Sequence, residues 1–209
     1  MHRKTFLSVI LILFSVQLFA VPFSLIKNAG DASDYPNADH LVIFDSTDVD
    51  VKENGMSSRH IHRLYKVLTP EGAKNLNHLK FRYDPLSAFN QIKKVKIYHK
   101  EGTVEELNLD KVKDYPAPAR MIYWGARHKM INIGRLEPGD AVELVLFRKG
   151  FTYALLQNEV PNDSRYVPPM KGHFYDIIEF WNDQPVKKKV YKLKIPRSKD
   201  LNHEFYNGE

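Results

Sequence analysis

Val49-Asp50-Val51-Lys52-Glu53-Asn54-Gly55-Met56-Ser57-Ser58-Arg59-His60-Ile61-His62-Arg63-Leu64-Tyr65-Lys66-Val67-Leu68 reads as two strands around a tight reversal. Asn54-Gly55 supplies the turn, because both residues tolerate the positive φ that a short hairpin requires. On the return arm, Ser57 to Leu68, side chains alternate between faces with period two. Ile61, Arg63, Tyr65 and Val67 share one face, while His60, His62, Leu64, Lys66 and Leu68 share the other. Neither face is wholly polar, so both are expected to be partly covered.

The same texture extends outward in both directions. Leu41-Val42-Ile43-Phe44 opens the incoming arm, and Thr69-Pro70-Glu71-Gly72 closes the outgoing one. A short helical turn at Ala73–His78 is expected, then an extended piece from Leu79 to Tyr83. A second hairpin joins Ile92–His99 to Thr103–Leu107 through Lys100-Glu101-Gly102. Pro116 and Pro118 remove ladder donors and keep residues 108–120 out of a sheet centre. Met121 to Trp124 is a short extended candidate, Lys129–Ile133 another strand. Glu137-Pro138-Gly139-Asp140 then turns the chain into Ala141–Arg148. That run has the densest apolar content outside the leader, which predicts a central strand. Phe151–Val160, His173–Trp181 and Val186–Ile195 complete the set. Roughly nine short strands with tight reversals and little helical periodicity predict an all-β chain, an antiparallel β-sandwich-like domain.

Domain organisation follows from the two ends. His2, Arg3 and Lys4 precede an apolar run from Phe6 that continues to Ala20, the grammar of a cleaved export signal over residues 1–20. Gln17 interrupts it, and its length is at the lower limit for spanning a bilayer, so retention as an anchor is the minor reading. Residues 21–37 form an N-terminal segment with a short helix around Ser24–Ala32. Residues 38–196 form the sandwich, and 197–209 a polar C-terminal tail. A periplasmic or secreted location follows from the signal.

The chain has no cysteine among its 209 residues, which excludes a thiolate nucleophile, thiolate-bound zinc, thiol redox chemistry and lipid attachment. The net charge is +6, and the basic residues gather at Lys187-Lys188-Lys189 with Lys192, Lys194, Arg197 and Lys199. Nucleic acid is not an expected partner in an exported location; a solvated strand face or an anionic envelope polymer suits these lysines. His60 and His62 point the same way ~6–7 Å apart. Zinc needs three or four ligands, and no further ligand has the right spacing, so no metal is assigned. Asp45, Asp48 and Asp50 lack the turn glycine of a calcium loop. No G-x-S-x-G, H-E-x-x-H, G-x-G-x-x-G or phosphate loop occurs, and neither a catalytic residue nor a cofactor is assigned. Whether the chain is an enzyme stays open, with the balance against; a metal-dependent hydrolase is the remote alternative. Tyr123 and Trp124, between prolines and Gly125, and Lys192 and Lys194 are the candidate contacts for a partner or a glycan. Asn162-Asp163-Ser164 matches a glycosylation acceptor.

Several ordered stretches carry a resemblance. They are Val49–Gly55, Arg59–Gly72, Tyr83-Asp84-Pro85, Lys100-Glu101-Gly102, Ile133–Glu143, and Gln184-Pro185-Val186 leading to Tyr191–Pro196. Together, from about Leu41 to Ile195, they resemble the domain-of-unknown-function family DUF3857, which precedes transglutaminase-like domains in bacterial exported proteins. The resemblance implies a β-sandwich followed by a papain-like catalytic domain with Cys, His and Asp. No catalytic residue carries over, because no cysteine is present. It further implies a non-catalytic accessory or interaction domain with a transglutaminase-like or other cell-envelope partner. A carbohydrate- or envelope-polymer-binding module using exposed aromatics and lysines is the alternative. The sequence sets no oligomeric state.

Overall fold

The computed structural model describes Val21 and residues 23–118, 125–151, 174–180 and 182–206. The expected pieces at residues 1–20, Met121–Trp124, Phe151–Val160 and Asn162–Ser164 lie outside these residues, apart from Phe151. So do the candidate contacts Tyr123 and Trp124.

Among the described residues nine strands form two sheets. In chain order they are β1 (His40–Val51), β2 (Ser57–Val67), β3 (His78–Tyr83), β4 (Ala88–Tyr98), β5 (Val104–Glu106), β6 (Lys113–Pro116), β7 (Arg127–Asn132), β8 (Ala141–Gly150) and β9 (Lys189–Lys194). Helices are short: α1 (Phe23–Lys27), α2 (Pro70–Leu76) and a 3-10 turn at Leu109–Lys111. No helix of the described residues is long and apolar enough to cross a membrane.

The larger sheet has six strands in the order β5-β4-β8-β2-β1-β9, and the smaller three in the order β3-β7-β6. β8 is central, as its apolar density predicts. β6 contains Pro116 and lies at an edge, where a missing donor costs no ladder bond. The two sheets close on one apolar layer. Val95 and Ile97 of β4, Val142, Leu144 and Leu146 of β8, and Val67 of β2 meet Ile131 of β7, Ile133, Leu136 and Leu76. The opposite face of the larger sheet is covered at one end by the N-terminal segment. There Val21, Ile26, Ala29 and Ala38 pack on Leu41, Ile43, Leu64, Leu68, Tyr98 and Ala141. The mixed faces of β2 reflect this double cover.

Three local readings change. The Asn54-Gly55 reversal is a five-residue loop between paired Val51 and Ser57, not a two-residue turn. Gly55 takes φ 81°, the Gly55 amide donates to Lys52 O, and the Met56 amide donates to Asn54 Oδ1. Residues 174–180 form no strand; they run beside the sheet, held by side-chain contacts. β9 pairs with β1 in parallel, Asp45 opposite Lys189 through Asp50 opposite Lys194, while every other strand pairing is antiparallel. A parallel partner needs a long connection, and β9 begins well beyond the end of β8 in the sequence.

A bulge at Ile43 turns Ile43 and Phe44 toward the same face, and a second at Lys93 resets β4. The corner before β1 is welded by Asp39, whose carbonyl accepts from the amides of Leu68 and Thr69. Thr69 caps α2 by accepting from the Gly72 amide at 3.1 Å and donates its own hydroxyl to Asp39 Oδ1 at 2.8 Å. Gly72 therefore presses directly on this corner: a Cβ there would stand 1.9 Å from the Asp39 carbonyl oxygen. Gly72→Ala is expected to destabilise the chain by about 3 kcal/mol, read from denaturant unfolding, because rigid backbone and not a movable side chain is in the way.

Candidate functional site

The site grows from the alternation of β8. Leu144 and Leu146 point into the apolar layer between the sheets, so Ala141, Glu143 and Val145 face the other side. Register sets Glu143 opposite Leu64 of β2 and Lys96 of β4, in the middle of the sheet. Its side chain has 0% exposure. A buried carboxylate is stable only when its oxygens are fully engaged, and here they are. His62 Nε2 and Lys94 Nζ both meet Oε1, at 2.8 and 2.9 Å, and Tyr98 Oη donates to Oε2 at 2.8 Å. Burial works to raise the carboxyl pKa, but the contacts from His62, Lys94 and Tyr98 outweigh it and hold it at about 2. Tyr98 responds in the opposite sense: burial and donation to Glu143 push its phenol up to about 12.

Beside this hub the N-terminal segment is pinned to the sheet. Lys66 Nζ donates to the carbonyls of Ile26 and Gly30, at 3.0 and 2.7 Å, near the end of α1 where carbonyls lack helical partners. Burial lowers the Lys66 pKa, and Asp31 and Asp34 oppose that shift. Lys187 Nζ donates to Ala29 O at 3.0 Å. Between this segment and the β1–β9 edge lies a groove of about 530 Å³. Leu25, Ile43, Phe44 and Val190 supply apolar walls, and Lys187, Lys188 and Lys192 supply cationic ones.

On the sheet's other face, Arg59 Nη1 meets Asp176 Oδ2 at 2.8 Å and stands 5.6 Å from the Phe174 ring centre. Tyr191 donates to the same Asp176 carboxylate. Burial and that acceptor raise the Tyr191 phenol above its ordinary range. Lys189 donates to Glu179 O. These contacts hold residues 174–180 against the sheet without strand pairing.

The predicted residues separate in space. Lys192 lines the groove and faces Asp48 at 3.6 Å. Lys194 pairs with Asp50 in the β1–β9 register, away from the groove lining. His60 packs on Phe147 with ring centres 5.0 Å apart, whereas His62 packs on Phe44 and binds Glu143. The two imidazoles thus have different partners. Asp45 faces Arg63 at 3.0 Å, while Asp48 and Asp50 meet Lys192 and Lys52, so the three aspartates do not form one acidic cluster.

Sequence reasoning missed Glu143 and a second group: the donor atoms of His99, Glu101 and Asp140 lie within 4.8 Å of one another. Asp140 acts there as a turn clamp. It accepts from the Lys100 amide at 3.0 Å and the Glu137 amide at 2.9 Å. The Lys100 ammonium is 2.7 Å from Glu137 and places positive charge beside the cluster, which disfavours a cation. The signal for Glu143 was present, since a lone acid interrupts the most apolar strand of the chain.

The fold and site define a two-layer β module, one sheet faced by a smaller sheet and a helical strap, with a basic-rimmed groove at its edge. The chain belongs to the family described as a domain of unknown function with a solved structure, DUF3857, which matches residues 53–209. The match begins within the β1–β2 loop, so β1 and the strap precede it. No curated protein matches the sequence. Among solved structures, a putative protease from Parabacteroides distasonis aligns with TM-score 0.47 at 13% identity over 56% of this chain. The chain spans about a quarter of that protein, 24% of its length. A CBM3a-L domain with flanking linkers from the scaffoldin cipA of the Clostridium thermocellum cellulosome aligns with TM-score 0.32 at 12% identity. That alignment covers 55% of this chain and 69% of that one. Both likenesses are too distant to carry an inference about this chain.

Two outcomes follow for the hub. Glu143→Gln leaves Lys94 without its anion and is expected to cost about 3 kcal/mol in denaturant unfolding. The folded carboxyl is held down to about 2, below its ordinary value of 4.5, so the carboxylate's contribution is present above about 4.5 and is lost as pH falls toward about 2. A melting-temperature profile over that range should fall steeply for the native chain and more gently for Glu143→Gln.

Proposed function

We propose that this chain is a non-catalytic accessory domain, exported to the periplasm or cell exterior, that docks on a cell-envelope partner of the transglutaminase-like class. The groove beside β9 carries the reading. It combines a wall of Leu25, Ile43, Phe44 and Val190 with a rim of Lys187, Lys188 and Lys192, and among the described residues Asp45 is the only acid in its lining. A partner segment that inserts an apolar side chain and sets a carboxylate beside Lys188 and Lys192 would satisfy both surfaces. The groove's size falls within the range of ordinary ligand clefts, roughly 300–1,000 Å³.

The chemistry of the neighbouring groups supports a binding role. Glu143 is held ionised by three side-chain partners, and Asp140 clamps two turns. A general base must keep an acceptor free for substrate, and these groups spend theirs on the fold. The family resemblance to domains that precede transglutaminase-like domains supplies the class of partner.

A photo-crosslinking residue placed at Ser46, within the groove, tests the reading in the full chain expressed in an envelope-bearing host. The expected product is a crosslinked polypeptide that carries a transglutaminase-like domain. Its yield should fall about tenfold in a Lys188→Glu, Lys192→Glu chain, in keeping with loss of charge complementarity. Crosslinking to glycan alone, or a yield indifferent to charge reversal, would overturn the proposal; the former would favour polymer binding.

A further inference from the structure

The beginning of the strap reaches the hub directly. Val21 is only 7% exposed, and its backbone nitrogen donates to Tyr98 Oη at 3.2 Å. The same hydroxyl donates onward to Glu143 Oε2 at 2.8 Å. Phe23 packs edge-on against the Tyr98 ring at 5.6 Å, and Lys66 and Lys187 fasten the segment further along. The bond immediately before Val21 is the one at which the leader is expected to end, after Leu18-Phe19-Ala20.

We propose that hydrolysis of the Ala20–Val21 bond creates an α-ammonium that docks on the Tyr98–Glu143 pair, so that leader removal completes the lock between strap and sheet. This rests on the export reading above. A leader-removing endopeptidase adds one water across the amide. The hydroxyl joins the Ala20 carbonyl, which departs as a carboxylate, and the Val21 nitrogen takes the hydrogen. The new amine then gains a proton from solvent below its ordinary pKa of about 8.

The hub is prepared for such a charge. Before hydrolysis the Val21 nitrogen offers one neutral N–H; afterwards it is a cation with three donors. Lys94 and His62 both bind Glu143 Oε1, whereas Oε2 receives only the neutral Tyr98 hydroxyl. An ammonium at Val21 therefore adds positive charge on the side of the carboxylate that carries none. Tyr98 can accept from the ammonium while still donating to Glu143. Among the described residues Glu106 also acts on Tyr98, from β5, and it is paired with Lys96 at 3.1 Å.

The test begins with the full chain in an exporting host, followed by mass analysis of the purified product's N-terminus. Val21 is the expected first residue; a product that retains earlier residues would overturn the export reading and this inference together. The α-amine is then challenged at pH 7 with an amine-acylating reagent, under which lysines stay protonated. Acylation should be about tenfold or more slower in the folded protein than in urea, because reaction requires the strap to open. Tyr98→Phe, which deletes one oxygen, should restore several-fold faster reaction with an unchanged far-UV spectrum.

A product beginning at Val21 whose amine reacts equally fast folded and unfolded would overturn the docking alone, as would protection indifferent to Tyr98→Phe. Should that variant fail to fold, a 15N titration of the unaltered product decides. An amine midpoint above about 8 supports docking near the carboxylate, and an ordinary or lower one overturns it.

Discussion

A carboxylate in the middle of a sheet is costly unless every oxygen lone pair that matters is engaged. Glu143 meets that requirement only because three strands are in register at once. β2 delivers His62, β4 delivers Lys94 and Tyr98, and β8 delivers the acid itself. A slip of one residue in either pairing would turn a partner to the other face and leave a buried charge without compensation. The hub thus penalises wrong registers, a task that apolar packing performs less sharply.

The same requirement links the sheet to the strap. Tyr98 is both a hub member and the landing point for Val21 and Phe23, while Lys66 reaches the end of α1 from the adjoining strand. The groove walls borrow residues from both parts: Leu25 and Ala29 from the strap, Phe44 and Val190 from the sheet edge. The groove wall and the polar centre therefore share one strap, which Tyr98 and Lys66 hold to the sheet.

Much of the architecture was legible in residue alternation and turn chemistry. Ala141–Arg148 marked the central strand, Lys100-Glu101-Gly102 the second hairpin, and Pro116 an edge position. Periodicity does not encode the direction of a distant partner, so the parallel placement of Val186–Ile195 against β1 could not be read. His173–Trp181 alternates as a strand would, yet Asp176 and Phe174 are spent on Arg59 and Tyr191 across the sheet face. Among the candidate contacts, Lys192 lines the groove and Lys194 does not, because two residues along a strand are a long step across a groove of this size. Glu143 was overlooked because alternation assigns a side chain to a face without saying who stands opposite. Only the register unites it with His62, 81 positions away, and with Tyr98, 45 positions away.

The parallel β1–β9 edge has a consequence for the order of events as the chain emerges. β1 and β2 can close a hairpin early, but the outer rim of β1 must wait for Lys189–Lys194. A chain threaded N-terminus first, whether from a ribosome or through a membrane pore, would hold an open ladder until nearly the end of its passage. Long-range closure of this kind slows folding. On the export reading proposed above, such delay would keep the thread pliable while most of it passed through the pore.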